Sequence, residues 1–262
     1  MNDSQKTETN HVVGLFFQHV VPIQLRFRNE QETKHRIITS FVLSVQQQWL
    51  LVTAGHCIRD VRQNETSGWK LDRAFLIDSI GLQAKHDHPV PFDWEAALPS
   101  VPFRDEANDF GLLLIDDFTR RQLQANGVRA ITEQAWDFEP GDAFAYLLVG
   151  APSTLAQPDE PISRLTAVVA AVRRADQRPA DLEETEAERW YGYVGHPEGL
   201  SDIDGMSGGP ILGLRRNEAG ELKYWLHAIQ SAWHRPSRAI AACPMRPLGR
   251  FLSEVIDGVH EV

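Results

Sequence analysis

Three short stretches carry the residues best suited to chemistry: "LLVTAGHCIRD" (50–60), "NDFGLLLIDD" (108–117) and "SDIDGMSGGPIL" (201–212). In the first, an apolar run ends in a small-residue turn and His56 follows at once. A histidine at the mouth of a strand is rigidly held yet reachable from solvent, which suits a general base. In the second, Asp109 heads a strongly apolar strand, where a carboxylate is costly unless hydrogen-bonded. An imidazole N–H would supply that bond, and the acid would fix the ring's tautomer in return. In the third, Ser207 stands among Gly205, Gly208 and Gly209. Glycines there let a tight turn aim successive N–H groups into one pocket, as an acyl-transfer reaction needs for its oxyanion. A lone histidine or a glycine turn is usually structural; the weight lies in the three together.

The elements that must hold these residues read as strands. "HVVGLFF", "VPIQLRF", "HRIITSFVLSV", "QQWLLVTAG", "RAFLIDSIG" and "FGLLLI" are rich in β-branched and aromatic residues and broken by polar clusters. "RDVRQNETSGWK" and "HDHPVPFDWEAALPSVPF" read as exposed loops between them. "DDFTRRQLQANG" has helical composition and ends in Asn-Gly. A second group follows in "AFAYLLVGAP", "SRLTAVVAAVRR", "RWYGYVG", "GGPILGLR" and "YWLHAIQSAW", split by an acidic, solvated stretch at 180–188. Leu248, Leu252, Val255 and Ile256 recur at helical spacing, so a C-terminal amphipathic helix closes the chain.

Bulk composition narrows the class. The chain has 262 residues, 42% hydrophobic and 24% charged, an ordinary globular profile. A net charge of −10 argues against nucleic acid as a partner. The N-terminus "MNDSQKTETN" has no secretory pattern, and no apolar run is long enough to span a bilayer, so no membrane partner is expected. Two cysteines, Cys57 and Cys243, are too few for a disulfide framework and point to a reducing, cytoplasmic setting. No cofactor motif is present; His86 and His88 are two apart with no further ligands nearby, so no metal site is expected.

Taken together, the motifs resemble those of the trypsin-like serine peptidases of the chymotrypsin fold. "TAGHC" (53–57) is similar to the family's histidine motif, "NDFGLLLI" to its aspartate motif, and "GMSGGPIL" to its nucleophile loop. The resemblance implies an all-β chain of two six-stranded antiparallel barrels with a C-terminal helix. The polar tail would be residues 1–11, the first barrel 12–119, a connecting segment 120–134, and the second barrel with the helix 135–262. It implies His56 as base, Asp109 as its orienter, Ser207 as nucleophile, and the N–H groups of Gly205 and Ser207 as the oxyanion hole. The implied reaction is endoproteolysis through an acyl-enzyme, on a protein or peptide bound as an extended strand; the alternative is a catalytically idle or partner-activated binding module of the same fold. The rival Gly-x-Ser-x-Gly elbow of α/β-hydrolases needs a helix at the serine, and "GGPILG" opens one poorly.

The departures from the family matter as much. Its secreted members pair the histidine-adjacent cysteine with one upstream, but "SFVLSV" has none, so Cys57 is expected as a free thiol that does not pair with Cys243. Met206 stands where cleavage-activated members carry an aspartate that pairs with the freed amino terminus. The loop is then preformed by packing, or ordered by an activating protein partner or by substrate. The resemblance assigns the base of the specificity pocket to Ser201 and Asp202 and its far wall to Ser231 and Trp233. Ile240 and Ala241 fall near the rim, and His196 is a candidate for the cleft. Asp202 favours a basic residue in the substrate, whereas the uncharged Ser201 favours a small or polar one.

Overall fold

A computed structural model describes residues 14–81, 83–98, 109–137, 143–156, 165–195, 200 and 202–260. The polar tail, His196 and Ser201 lie outside the described residues. The N-terminal half contributes β1 (Ile23–Arg28), β2 (Thr33–Ile38), β3 (Phe41–Val45), β4 (Gln48–Ala54), β5 (Lys70–Leu76), β6 (Val90–Phe92) and β7 (Phe110–Leu114). The C-terminal half contributes β8 (Ala145–Gly150), β9 (Val168–Arg174), β10 (Trp190–Val194), β11 (Pro210–Arg216), β12 (Leu222–His234) and β13 (Ala239–Pro244). Helices Asp117–Ala125 and Met245–His260 link the halves and close the chain, as the sequence pattern predicts.

The C-terminal half is a closed antiparallel barrel in the order β10-β13-β12-β11-β8-β9. In the N-terminal half, the strands form two sheets, β2-β1-β5-β6 and β3-β4-β7, where the resemblance implies one closed ring of six. Strand β6 is only three residues long and carries Pro91, which has no N–H to give a ladder. The seam between β6 and β7 is walled instead by the helices at Trp94–Ala97 and Asp117–Ala125, around a cavity that Trp49, Phe92 and Leu114 help to line.

Three further differences have local causes. Residues 14–17, read as part of a strand, form a helical turn. Strand β13, "AIAACP", was not legible because alanine carries little β signal; its pairing with both β10 and β12 and its burial make it a strand. The segment after His56, read as an exposed loop, is the helix Gly55–Thr66. Its N-cap, Ala54, has no side chain to satisfy the first N–H groups. A carboxylate from elsewhere in the chain caps it, a signal that no local reading of the sequence contains.

One apolar cluster joins the two halves. Phe16, Val20, Phe41 and Leu43 from the first pack with Leu212, Leu226, Ile229, Met245 and Leu248 from the second. Each half also has its own core, one around Ile23, Leu25, Phe27 and Leu51, the other around Leu148, Met206, Ile211 and Ile240. At the junction, buried His19 bonds the Arg129 carbonyl through Nδ1 and the Tyr224 hydroxyl through Nε2, both at 2.7 Å. The halves are therefore locked in register, which fixes the positions of side chains that meet between them.

Candidate active site

Strand β4 delivers His56. Its last residues, Thr53 and Ala54, are buried, and the chain turns directly into the helix at Gly55. The start of β7 lies so close that a Cβ on Gly55 would sit 2.9 Å from the Phe110 carbonyl oxygen. Glycine there allows the helix to abut the strand, and Asp109 just before β7 then meets its first turn. The His56 N–H donates to Asp109 Oδ1 at 2.8 Å, and the ring Nδ1 lies 2.8 Å from Oδ2. The Gly55 N–H donates to the Asp109 carbonyl at 3.0 Å. Asp109 thus caps the helix and orients the imidazole at once, favourable for an anion at a helix N-terminus.

The electrostatics follow from this geometry. Burial alone pushes the His56 pKa down, but hydrogen bonds to Asp109 and the Cys57 side chain, with the charge of Asp109, outweigh it and raise it above the ordinary value. Burial pushes the Asp109 carboxyl up, yet the bonds and charge of His56, with the charge of Arg59, hold it below the usual carboxylate range. With Nδ1 facing Asp109, a reacting group would meet the other ring nitrogen, Nε2.

Ser207 comes from the loop before β11, and that loop is pressed against the end of β4. A Cβ on Gly208 would lie 2.2 Å from Thr53 Oγ1 and 2.7 Å from the Ala54 nitrogen, two residues before His56. The Cys57 Sγ lies 4.0 Å from the Ser207 carbonyl oxygen. Serine and histidine are therefore neighbours across the junction of the two halves. Thr39 helps to fix this approach: its hydroxyl donates to the Gly205 carbonyl at 2.7 Å and accepts the Ala151 N–H at 3.0 Å.

The loop is wound so that alternate N–H groups differ in fate. Gly205 and Gly208 both have positive φ, +91° and +89°. The N–H groups of Met206, Gly208 and Gly209 donate to the carbonyls of Ile203, Gln230 and Met206 at 2.8–2.9 Å. Those of Gly205 and Ser207 have no acceptor among the described residues. These are the two donors expected to bind an oxyanion.

Met206 is fully buried among Leu200, Ile203, Ile211 and Ile240. Its Cβ, Cγ and Cε all lie 3.2 Å from where a Cβ on Gly150 would be, at the end of β8. Outside the socket, the Asp204 carbonyl accepts the Ser153 N–H at 2.7 Å, and Asp202 Oδ1 accepts the Asp204 N–H at 3.0 Å. Apolar packing holds the loop in place.

The remaining pocket residues are placed as follows. Asp202 is buried, and its Oδ2 is ion-paired with Arg235, which also binds Asp204 at 2.6 Å. Its charge is thus already neutralised within the protein. Trp233 packs on the barrel core opposite fully buried Ile240, with the Arg238 guanidinium 5.5 Å from its ring. Ser231 is buried in a bulge of β12 and donates to the Ala241 carbonyl at 3.3 Å. On the edge of β12 away from β13, Gln230 exchanges bonds with Gly208 and Gly209, and the residues beyond it pair only with β13, so among the described residues that stretch of edge is open to an added strand. Sequence reasoning missed Thr39, Arg59 and Arg235. The polar pair Thr39-Ser40 between two apolar strands was a readable signal for the first; Arg59 becomes visible only once its segment is known to be helical.

No protein-family model and no curated protein sequence matches this chain. Solved structures do. An inactivated protease paralogue of the scabies mite, S-I1, is 15% identical with a TM-score of 0.54, covering 94% of this chain and 96% of its own. The thermostable serine protease AL20 from an extremophilic microorganism gives 13% and 0.48, covering 90% of this chain and 94% of its own. Protease Anisep from Arthrobacter nicotinovorans gives 14% and 0.45, covering 87% of this chain and 90% of its own. The fold is that of the chymotrypsin-like serine proteases. At such identities the likeness speaks for the fold alone, and an inactivated relative underlines that activity must be argued from residues.

Proposed function

We propose that this chain is a serine endopeptidase. The observation that carries the reading is the double grip of Asp109 on His56, beside a serine loop whose Gly205 and Ser207 N–H groups lack acceptors among the described residues. His56 Nε2 takes the proton as Ser207 Oγ attacks the scissile carbonyl carbon. The oxyanion that forms is bound by the N–H groups of Gly205 and Ser207. His56 then gives its proton to the leaving amine, and water hydrolyses the acyl-enzyme by the same steps in reverse roles. The peptide lies along the open edge of β12 near Ser231 and Trp233. Asp202, held by Arg235, contributes little attraction for a basic substrate residue, and Trp233 opposite Ile240 narrows the site.

Packing of Met206 supports a loop ordered without a new amino terminus. Buried Cys57 and Cys243, not joined in a disulfide, suit a cytoplasmic setting, and the substrate in this reading is a specific protein cleaved in a regulated way. Among the described residues no helix is long and apolar enough to cross a membrane. The test is labelling of the full chain by a fluorophosphonate, which forms a bond with an activated serine oxygen. Labelling that disappears in Ser207→Ala and His56→Ala supports the reading. A folded wild-type chain that stays unlabelled, alone and with cell lysate added as a source of an activating partner, defeats it.

A further inference from the structure

We infer that Arg59 is a positioning residue that sets the basicity of His56 by sharing the Asp109 carboxylate, an inference that rests on the triad reading above. Arg59 lies three residues after His56 on the same helix, so the two side chains project from one face. Its Nη2 donates to Asp109 Oδ1 at 2.9 Å. Oδ1 also receives the His56 N–H at 2.8 Å, while Oδ2 faces the imidazole Nδ1 at 2.8 Å. The carboxylate is therefore divided: one oxygen serves the helix end and the guanidinium, the other the catalytic ring. Two donors on Oδ1 fix the plane of the group, and so the line on which Oδ2 meets Nδ1.

The charge works in a definite direction. Asp109 favours the imidazolium, and a positive guanidinium on the same carboxylate offsets part of that influence. Arg59 is half-exposed, its side chain 53% accessible against 14% for Asp109, so solvent screens the effect without abolishing it. The other groups near the ring stay in place when Arg59 is changed. On its own helix these are Cys57, which hydrogen-bonds His56, and Asp60, which is paired with Arg36. From the second half they are Ser207, Cys243 on β13, and Arg189, which contacts the Cys243 sulfur. Cys243 feels the charge of Asp109, so this thiol also lies within reach of the site; burial pushes it up to about 11, and it stays neutral.

The experiment follows the imidazole itself. The His56 ring is titrated by NMR in the full chain carrying Ser207→Ala, alone and with Arg59→Lys, Arg59→Gln or Arg59→Ala. Removing the charge, in the Gln and Ala variants, is expected to raise the midpoint by about 0.5–1 pH unit, from a screened Coulomb interaction across the shared carboxylate. Lys keeps the charge and is expected to leave the midpoint where it is. In chains that retain Ser207, the acid limb of fluorophosphonate labelling is expected to move up by the same amount. An unchanged or lowered midpoint in Arg59→Gln, or equal shifts in Gln and Lys, overturns the inference. The titration needs no catalysis: absent labelling counts against the triad reading, whereas an immobile midpoint counts against Arg59 alone.

Discussion

Replacing Met206 with alanine tests whether apolar packing stands in for an activation ion pair. The side chain is fully buried, so its removal exposes nothing to solvent and leaves a void beside Gly150. Losing three non-hydrogen atoms costs about 2 kcal/mol in transfer free energy. An unrelaxed void of about 50 Å3 adds about 1 kcal/mol. A total of about 3 kcal/mol lowers the melting temperature of a chain this size by about 6–12 °C. The kinetic effect is expected to exceed the stability effect, because Met206 lies between Gly205 and Ser207, the proposed oxyanion donors. If the loop relaxes into the void, one misplaced donor costs about 10²–10³-fold in rate. The assay compares fluorophosphonate labelling of wild type, Met206→Ala and Met206→Leu at a temperature where circular dichroism finds all three folded. Leucine conserves volume, so its loss of stability stays under about 1.5 kcal/mol and its labelling stays near wild type. Met206→Ala that is folded and labels at the wild-type rate would refute the reasoning, since the loop would then hold its shape without the socket.

Three further outcomes follow from the same geometry. Gly205→Ala places a Cβ 2.7 Å from the Ser153 nitrogen at a φ of +91°, so labelling should fall about 10²–10³-fold; a rate within threefold of wild type would contradict the oxyanion assignment. Arg235→Ala leaves the buried Asp202 carboxylate with the Asp204 N–H alone, and urea unfolding should register a loss of about 1–2 kcal/mol, reduced because Arg235 is 60% exposed. Burial holds His19 and His227 at about 4, below their ordinary 6.5, so the unfolded chain binds protons that the folded one refuses. Stability should therefore fall as pH drops from 6.5 and level off below 4, by about 3 kcal/mol for each group at most. His56 has the opposite sign: its raised pKa adds stability that is full below 6.5 and is lost as pH climbs through the raised value. Melting curves from pH 10 to pH 4 check this, and His227→Phe should flatten the acid loss; an unchanged slope would rule out His227 as a source.

The sequence by itself determined which residues are available for chemistry and what kind of elements carry them. His56, Asp109 and Ser207 are legible because each sits at the junction of an apolar run and a turn, a local pattern. The same holds for most strands and for the helices at Asp117–Ala125 and Met245–His260, whose periodicity is written in consecutive residues. What depends on partners far along the chain was not legible. The helix after His56 is capped by a carboxylate 53 residues away, so its local composition looks like a loop. Asp202 looks like a free charge until Arg235, in the β12–β13 turn, is found against it. The closure of the second half into a barrel, and the seam left in the first, depend on which strand edges meet. A side chain's type sets what it can do, but its charge, exposure and aim are set by neighbours that only the folded chain brings together. For Met206 this is plainest: the letter says that no ion pair forms, and only the tertiary structure supplies the socket that takes its place.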